Sequence, residues 1–210
     1  MWIITGCALL SLLICLPLFF HYRDRLPLLG AGFKSAGTLC AAILSLIGTL
    51  QLNPLYGFLF AAQLLHAGAD FFLEVRFEAG VGLFLLGHLC YIAGFLKLYS
   101  LDFAHLILSA AFLILLMLVF YRERNRLRKN LLPLFLYGTV LSLMAAFGIA
   151  GGTSSYSLSG LMTAFGAALF FFSDYLLFRQ LLLPDTRRYD KAVMITYYLA
   201  QLLIGGSCIL

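Results

Sequence analysis

Apolar residues run along this chain in blocks of about twenty, broken by short polar or glycine- and proline-bearing stretches. At about 1.5 Å per residue, a block of that length crosses the ~30 Å hydrocarbon layer of a bilayer. Such blocks fall near 2–21, 30–50, 55–74, 79–98, 102–121, 131–150, 157–178 and 191–210. Strand-length alternation is absent, and in lipid every backbone N–H and C=O needs a partner within the chain, so each block reads as a helix. The expectation is an all-α polytopic membrane bundle of eight transmembrane helices, with residues 1–210 as a single integral-membrane domain. The longest polar interval, Arg122 to Asn130, leaves no room for a domain boundary. Short turn-rich connections such as Gln51-Leu52-Asn53-Pro54 and Gly151-Gly152-Thr153-Ser154-Ser155 force successive helices to run antiparallel.

Composition agrees with the pattern. With 63% hydrophobic and 11% charged residues, the 210-residue chain lacks the polar side chains to clothe a water-facing globule. The net charge of +5 is spread in a way that speaks of a membrane and not of nucleic acid. Arg23, Arg25, Lys34, Arg76, Arg122, Arg124, Arg126, Arg128, Lys129, Arg179, Arg187, Arg188 and Lys191 cluster at one set of helix ends, and Lys97 stands at the other. By the positive-inside rule, loops one, three, five and seven are cytoplasmic and both termini non-cytoplasmic, with the basic loops touching anionic lipid headgroups. A multi-pass protein of a bacterial inner or plasma membrane is the expected setting. The first block has no basic leader and no small-residue cleavage site, so it is expected to stay as a helix. Cys7, Cys15, Cys40, Cys90 and Cys208 sit singly within apolar blocks, without the spacing of a disulfide framework or a zinc site.

Polar residues inside the blocks carry the candidate chemistry, because an ionisable side chain there costs roughly 2.5–3.5 kcal/mol and by default marks function. Asp174, in Gly166–Phe178, GAALFFFSDYLLF, has Ser173 beside it. Asp70 occupies a similar place in Gly68–Leu73, GADFFL. Both lie about four residues from the cytoplasmic ends of their helices, roughly 6 Å into the bilayer. Lys34 and Tyr137 enter at similar depth, while His88 and Gln201 sit near the midplane. Gln63, His66, Asp70 and Glu74 are spaced three, four and four apart and so share one helix face, as do His88 and Tyr91; the last block adds Tyr197 and Tyr198. Such stripes look into the bundle or a wet cavity. Each residue also has a structural reading. Lys34 can snorkel to the interface or pair with either aspartate, Glu74 can pair with Arg76, and the histidines can be satisfied core groups. Two carboxylates in one low-dielectric cavity cannot both ionise cheaply, which would make an acid and a base of the same residue type. Asp, Glu and His could in principle bind a metal, but no local ligand motif such as HExxH is present, and neither a metal nor a cofactor is expected.

An internal repeat has two readings. AGTLCAAILSLIG at 36–48 is similar to YGTVLSLMAAFGI at 137–149, and GADFFL to FSDYLL. Either two four-helix halves are related in parallel about the membrane normal, or apolar helices coincide by chance.

Taken in order, Lys34, the Gly68–Asp70 segment, FEAGVGLFLLGHLCYIAGF at 77–95, Tyr137 with Met144, GAALFFFSDYLL from Gly166, and YYLAQLLIGGS from Tyr197 resemble the YhhN family of eight-span membrane proteins. The chain departs from the family pattern at Ser35, where proline is usual, and at Ala69, where glycine is usual. The resemblance implies a lysoplasmalogenase, which hydrolyses the vinyl ether bond of a lysophospholipid to a fatty aldehyde and glycerophosphoethanolamine or glycerophosphocholine. On that reading Asp174 or Asp70 protonates the outer alkene carbon, and the other carboxylate stabilises the oxocarbenium ion and guides water. His88 acts beside them. Lys34 would meet the phosphate, and Tyr91, Tyr137, Ser173, Tyr197 and Gln201 would line the substrate. The reading from another class is a proton-coupled small-molecule or lipid transporter, for which paired carboxylates and parallel repeats are also suited. A lipid-binding protein that kept the fold without the activity is the third.

Overall fold

A computed structural model describes residues 2–100, 102–127, 131–182 and 187–210. Arg128 and Lys129, two of the bases assigned to the fifth loop, lie outside the described residues.

The helices follow the apolar blocks closely. α1 covers Trp2–Tyr22, α2 Pro27–Gln51, α3 Gly57–Val75, α4 Phe77–Leu98, α5 Phe103–Leu127, α6 Leu131–Ser154, α7 Leu158–Leu181 and α8 Asp190–Ser207. Local signals set their ends. Pro27 opens α2, where its missing N–H costs nothing. Asn53 accepts the Leu55 N–H at 2.9 Å and starts the single 3-10 turn Pro54–Tyr56 ahead of α3. Ser157 caps α7 by accepting the Gly160 N–H at 3.0 Å. Within α1, Leu10–Cys15 widens into a π segment just ahead of Pro17, which has no N–H to give to the preceding turn.

Seven of these helices, α1 to α7, are long and apolar enough to cross a membrane, so the chain is an integral multi-pass membrane protein. The eighth expected span is the exception by composition. α8 has 18 residues, opens on Asp190 and Lys191, and holds Tyr197, Tyr198 and Gln201. Those polar side chains are turned inward, and α8 is buried along most of its length from Val193 to Ser207.

Six helices close a ring in which α2, α3 and α4 pack in sequence, α4 meets α6, α6, α7 and α8 pack in sequence, and α8 returns to α2. α1 leans on α2 and α5 on α6. Each half therefore has the same pattern, an outer first helix and three wall helices, with its first wall helix, α2 or α6, joined to the fourth helix of the other half. That is the arrangement a parallel repeat about the membrane normal requires. The outer face of α5 exposes Leu106, Ile107, Ile114, Met117 and Leu118, as a lipid-facing helix does.

Close approach holds the α2–α8 seam, as small residues do between membrane helices. A methyl group on Gly205 would stand 2.5 Å from the carbonyl oxygen of Ala41. Gly37 leaves the space that the Tyr198 ring fills, and the Tyr198 hydroxyl donates to the Lys34 carbonyl at 2.8 Å.

Candidate active site

The interior of the ring is polar on the faces that the sequence pattern marked. The α3 stripe meets α8 side chain for side chain. Gln63 donates to the Gln201 carbonyl at 2.9 Å, and the Gln201 amide nitrogen lies 2.9 Å from His66 Nδ1 and 3.3 Å from the Tyr197 hydroxyl. From α4, the Tyr91 hydroxyl donates to Gln201 Oε1 at 2.7 Å. From α2, the Ser45 hydroxyl donates to Gln63 Oε1 at 2.6 Å. Gln63, His66, Tyr91 and Gln201 are all fully buried, so their polar atoms are served by one another instead of by water.

Asp70 closes this network toward the basic end. It is 1% exposed, and its Oδ2 accepts from the Thr38 hydroxyl at 2.5 Å and from the Tyr197 hydroxyl at 2.8 Å. Its Oδ1 is buried without a partner.

Asp174 builds a second centre on the other half of the ring. Its Oδ2 accepts from the Tyr137 hydroxyl at 2.6 Å and lies 3.5 Å from His88 Nε2. His88 Nε2 is 3.1 Å from the Tyr137 oxygen. Because Tyr137 donates its hydrogen to Asp174, its oxygen is an acceptor, and the His88 nitrogen facing it carries the N–H. The resulting chain runs from His88 Nε2–H to Tyr137 O–H to the Asp174 carboxylate. It leaves the lone pair of the neutral ring on Nδ1, which is buried without a partner. Tyr137 is the partly exposed member and marks where this centre comes nearest the surface.

The two carboxyls point into the same ring without touching. No hydrogen bond joins them. Phe170 stands against the rings of Tyr197 at 5.4 Å, His66 at 5.2 Å and His88 at 4.9 Å, and Phe84 lies 4.9 Å from His66 and 5.8 Å from Tyr197. Phe84 and Phe170 thus pack against both centres, an aspartate with two hydroxyl donors and an aspartate with a tyrosine and a histidine, and the His66 and His88 rings meet at 4.9 Å. The expectation of two carboxylates in one cavity becomes two centres, each with its own donors, lined by the same rings.

Other sequence expectations find different partners. Lys34 Nζ binds Glu74 Oε1 at 2.8 Å, so Lys34 pairs with neither aspartate and Glu74 does not pair with Arg76. The cause is reach: Lys34 and Glu74 leave facing helices at the same level, whereas Arg76 sits past the end of α3 with an extended backbone. Ser173 is fully buried and donates to the Val193 carbonyl at 2.9 Å, clipping α7 to α8. Thr38 was not singled out from the sequence, although it holds Asp70.

Ion pairs fasten the connections at the same end. Arg23 meets Asp190 at 2.6 Å, and Arg187 grips both carboxylate oxygens of Asp24 at 2.9 Å. The Arg187 guanidinium holds the Asp24 carboxyl below the usual carboxylate range. Among the described residues no group of three or more His, Cys, Asp or Glu comes together as a metal site would need. Two adjoining clefts of about 290 and 270 Å³, sharing Val119 and Tyr175, open between α5 and α7. They lie on the outer side of α7, whose inner side carries Phe170 and Asp174.

The sequence model of the YhhN family matches residues 29–208. No curated protein and no solved structure matches the chain. The match takes in both carboxyl centres and every helix of the ring. At the two departures from the family pattern, Ser35 donates to the Ala67 carbonyl at 2.7 Å, tying α2 to α3, and Ala69 is packed away without turning Asp70 from the interior.

Proposed function

We propose, because the chain belongs to the YhhN family and carries two buried carboxyl centres in its membrane ring, that it is a lysoplasmalogenase-like hydrolase acting on the vinyl ether bond of a lysophospholipid. The observation that carries the reading is the pair of bare buried atoms, Asp70 Oδ1 and His88 Nδ1. A buried polar atom left unpaired costs about 1–3 kcal/mol, and a substrate or water that meets it recovers that cost.

The roles follow from the hydrogen bonds. Vinyl ether hydrolysis is limited by protonation of the outer alkene carbon, which turns the ether into an oxocarbenium ion. Asp70 can hold its proton on Oδ1 without surrendering either hydroxyl donor on Oδ2, so it is the general acid. Its proton forms the new C–H bond with the alkene electron pair, while an oxygen lone pair moves toward the inner carbon to give the oxocarbenium ion. Water then attacks the oxocarbenium carbon, and His88 Nδ1 takes the water proton. Tyr137 and Asp174 steady the imidazolium through Nε2. The hemiacetal collapses when the Asp70 carboxylate takes its hydroxyl proton and the His88 imidazolium gives the water proton to the glycerol oxygen, which releases aldehyde and glycerophospho-alcohol and restores both groups. Neutral rings of Phe84 and Phe170 keep bulk water away from the cation. Tyr91 and Gln201 hold the network behind it, and Lys34 is placed to meet the phosphate. Asp70 thus gives the proton and Asp174 supports the base.

A single-chain lipid suits the location. Its tail can lie among the helices while its head stays near the basic end, where Lys34 stands. The transporter reading has the repeated contact pattern of the two halves in its favour. Purified protein separates the two: aldehyde release from a defined vinyl ether lysolipid supports the hydrolase, and uptake into sealed vesicles without aldehyde supports the transporter.

A further inference from the structure

Glu74 is the charged residue nearest the Asp70 centre for which hydrolysis leaves no task. It lies one helical turn from Asp70 on α3, and its partner Lys34 lies one turn from Thr38 on α2, so the Lys34–Glu74 pair sits about 5.4 Å beyond the Thr38–Asp70 bond. The two ends of the pair differ in depth, with the Lys34 side chain 10% exposed and the Glu74 side chain 29%. Moving outward, the order is acid, cation, anion. Of the neighbouring loop charges, Arg23 is paired with Asp190 and Asp24 with Arg187.

We propose that Lys34 and Glu74 together form the headgroup site and that Glu74 is its specificity determinant, selecting a phosphodiester that ends in an amine over one that does not. The proposal rests on the hydrolase reading for its substrate and adds what reads the head. In a vinyl ether lysophospholipid the outer alkene carbon, which Asp70 protonates, and the phosphorus are separated by roughly seven bonds, ~9 Å when extended. One helical turn from Asp70 to the Lys34–Glu74 level plus a contact of ~3 Å between Asp70 and that carbon is of the same length. The headgroup continues from phosphate to ammonium, the same outward order as Lys34 then Glu74. On binding, the pair opens and each partner takes an opposite charge from the lipid, so two charges enter and none is left unpaired in a low-dielectric setting. A head with phosphate alone takes Lys34 and strands Glu74 beside a like charge, which is a penalty built against that class. The Phe19 ring, 5.5 Å from Lys34 Nζ, offers its face to the same cations.

The test is binding by purified protein of two saturated-ether lysolipids, which have no vinyl bond and cannot turn over. One carries phosphoethanolamine and the other phosphoglycerol. Wild type is expected to bind the ethanolamine lipid at least about tenfold tighter. Glu74→Gln should bring that ratio to within about twofold, mainly by tightening the glycerol lipid. Lys34→Gln should weaken both lipids. The charge exchange Lys34→Glu with Glu74→Lys keeps an ion pair, and so guards against a folding defect. It should weaken both lipids and abolish the preference, because phosphate would then meet the glutamate. An unchanged ratio in Glu74→Gln, or a retained preference in the charge exchange, overturns the assignment. Aldehyde release by wild type is measured in parallel. Absence of aldehyde with a ratio that follows Glu74 removes the hydrolase reading and keeps the headgroup site, whereas aldehyde with a ratio indifferent to Glu74 does the reverse.

Discussion

Replacing Asp70 by Asn changes the proposed acid with little else. The Thr38 and Tyr197 hydroxyls donate to Oδ2 at 2.5 and 2.8 Å, and the amide oxygen of Asn can stand in that position and accept both. The amide nitrogen then occupies the place of Oδ1, which has no partner. The protonated acid already places an unpaired O–H donor there, so the amide adds little to that cost and the variant should fold and melt within a few degrees of wild type. The proton needed at carbon is gone. General-acid catalysis is typically worth 10²–10⁴-fold, or about 2.7–5.4 kcal/mol of barrier. The assay is initial-rate release of fatty aldehyde from a vinyl ether lysolipid by protein purified in detergent, with kcat and KM resolved separately. The expected result is a kcat at least about 100-fold lower with KM within about threefold of wild type. A kcat within about threefold of wild type in a folded variant would refute the role, and so would a loss carried wholly by KM.

Three other outcomes follow from the same geometry. His88→Gln retains a side-chain amide that can reach Tyr137 and removes the base, so kcat should fall about 100-fold or more with lipid binding unchanged; a normal kcat assigns water activation elsewhere. Gly205→Ala presses a methyl group on the Ala41 carbonyl, a backbone atom that cannot swing aside, and should destabilise the α2–α8 seam by about 1–3 kcal/mol in reversible unfolding; no change would mean that the seam yields. The folded-state value of the Asp24 carboxyl is depressed by Arg187, so its contribution to stability is present above the ordinary carboxylate range and is lost as pH falls through the folded value. Asp24→Asn should therefore lower the melting temperature slightly at neutral pH, with the deficit shrinking as pH falls through the folded value, and a deficit that does not change with pH would contradict the pairing.

Much of the architecture was legible because lipid leaves a chain few choices. Helix ends at Pro27, Pro54 and Ser157 carry their own punctuation, and an acid in an apolar run must face inward. Asp70, His88, Tyr91, Tyr137, Asp174, Tyr197 and Gln201 all reach the ring interior for that reason. Depth and spacing along one helix do not tell which neighbour a side chain meets. On sequence grounds Lys34 could reach the interface or pair with either aspartate, and the register of α2 against α3 gives it Glu74 instead. Ser173 beside Asp174 reads as a substrate-lining residue, yet its hydroxyl serves a carbonyl of α8. Thr38 escaped notice because threonines in apolar helices commonly bond their own preceding turn, as Thr49, Thr139 and Thr196 do here. Nothing in the sequence distinguishes the one that donates across to a carboxyl. The aromatic lining was equally hidden, since Phe170 differs from Phe171 and Phe172 only in the direction it faces.

The central claim is that a carboxyl of this protein delivers a proton to carbon. Hydrolysis of a vinyl ether lysolipid by the purified wild-type protein in D2O, with immediate trapping of the aldehyde and mass spectrometry, measures that step directly. The account predicts an aldehyde carrying one deuterium on the carbon next to the carbonyl, formed by wild type and suppressed in Asp70→Asn. An aldehyde without deuterium, or one formed equally fast by Asp70→Asn, would contradict it.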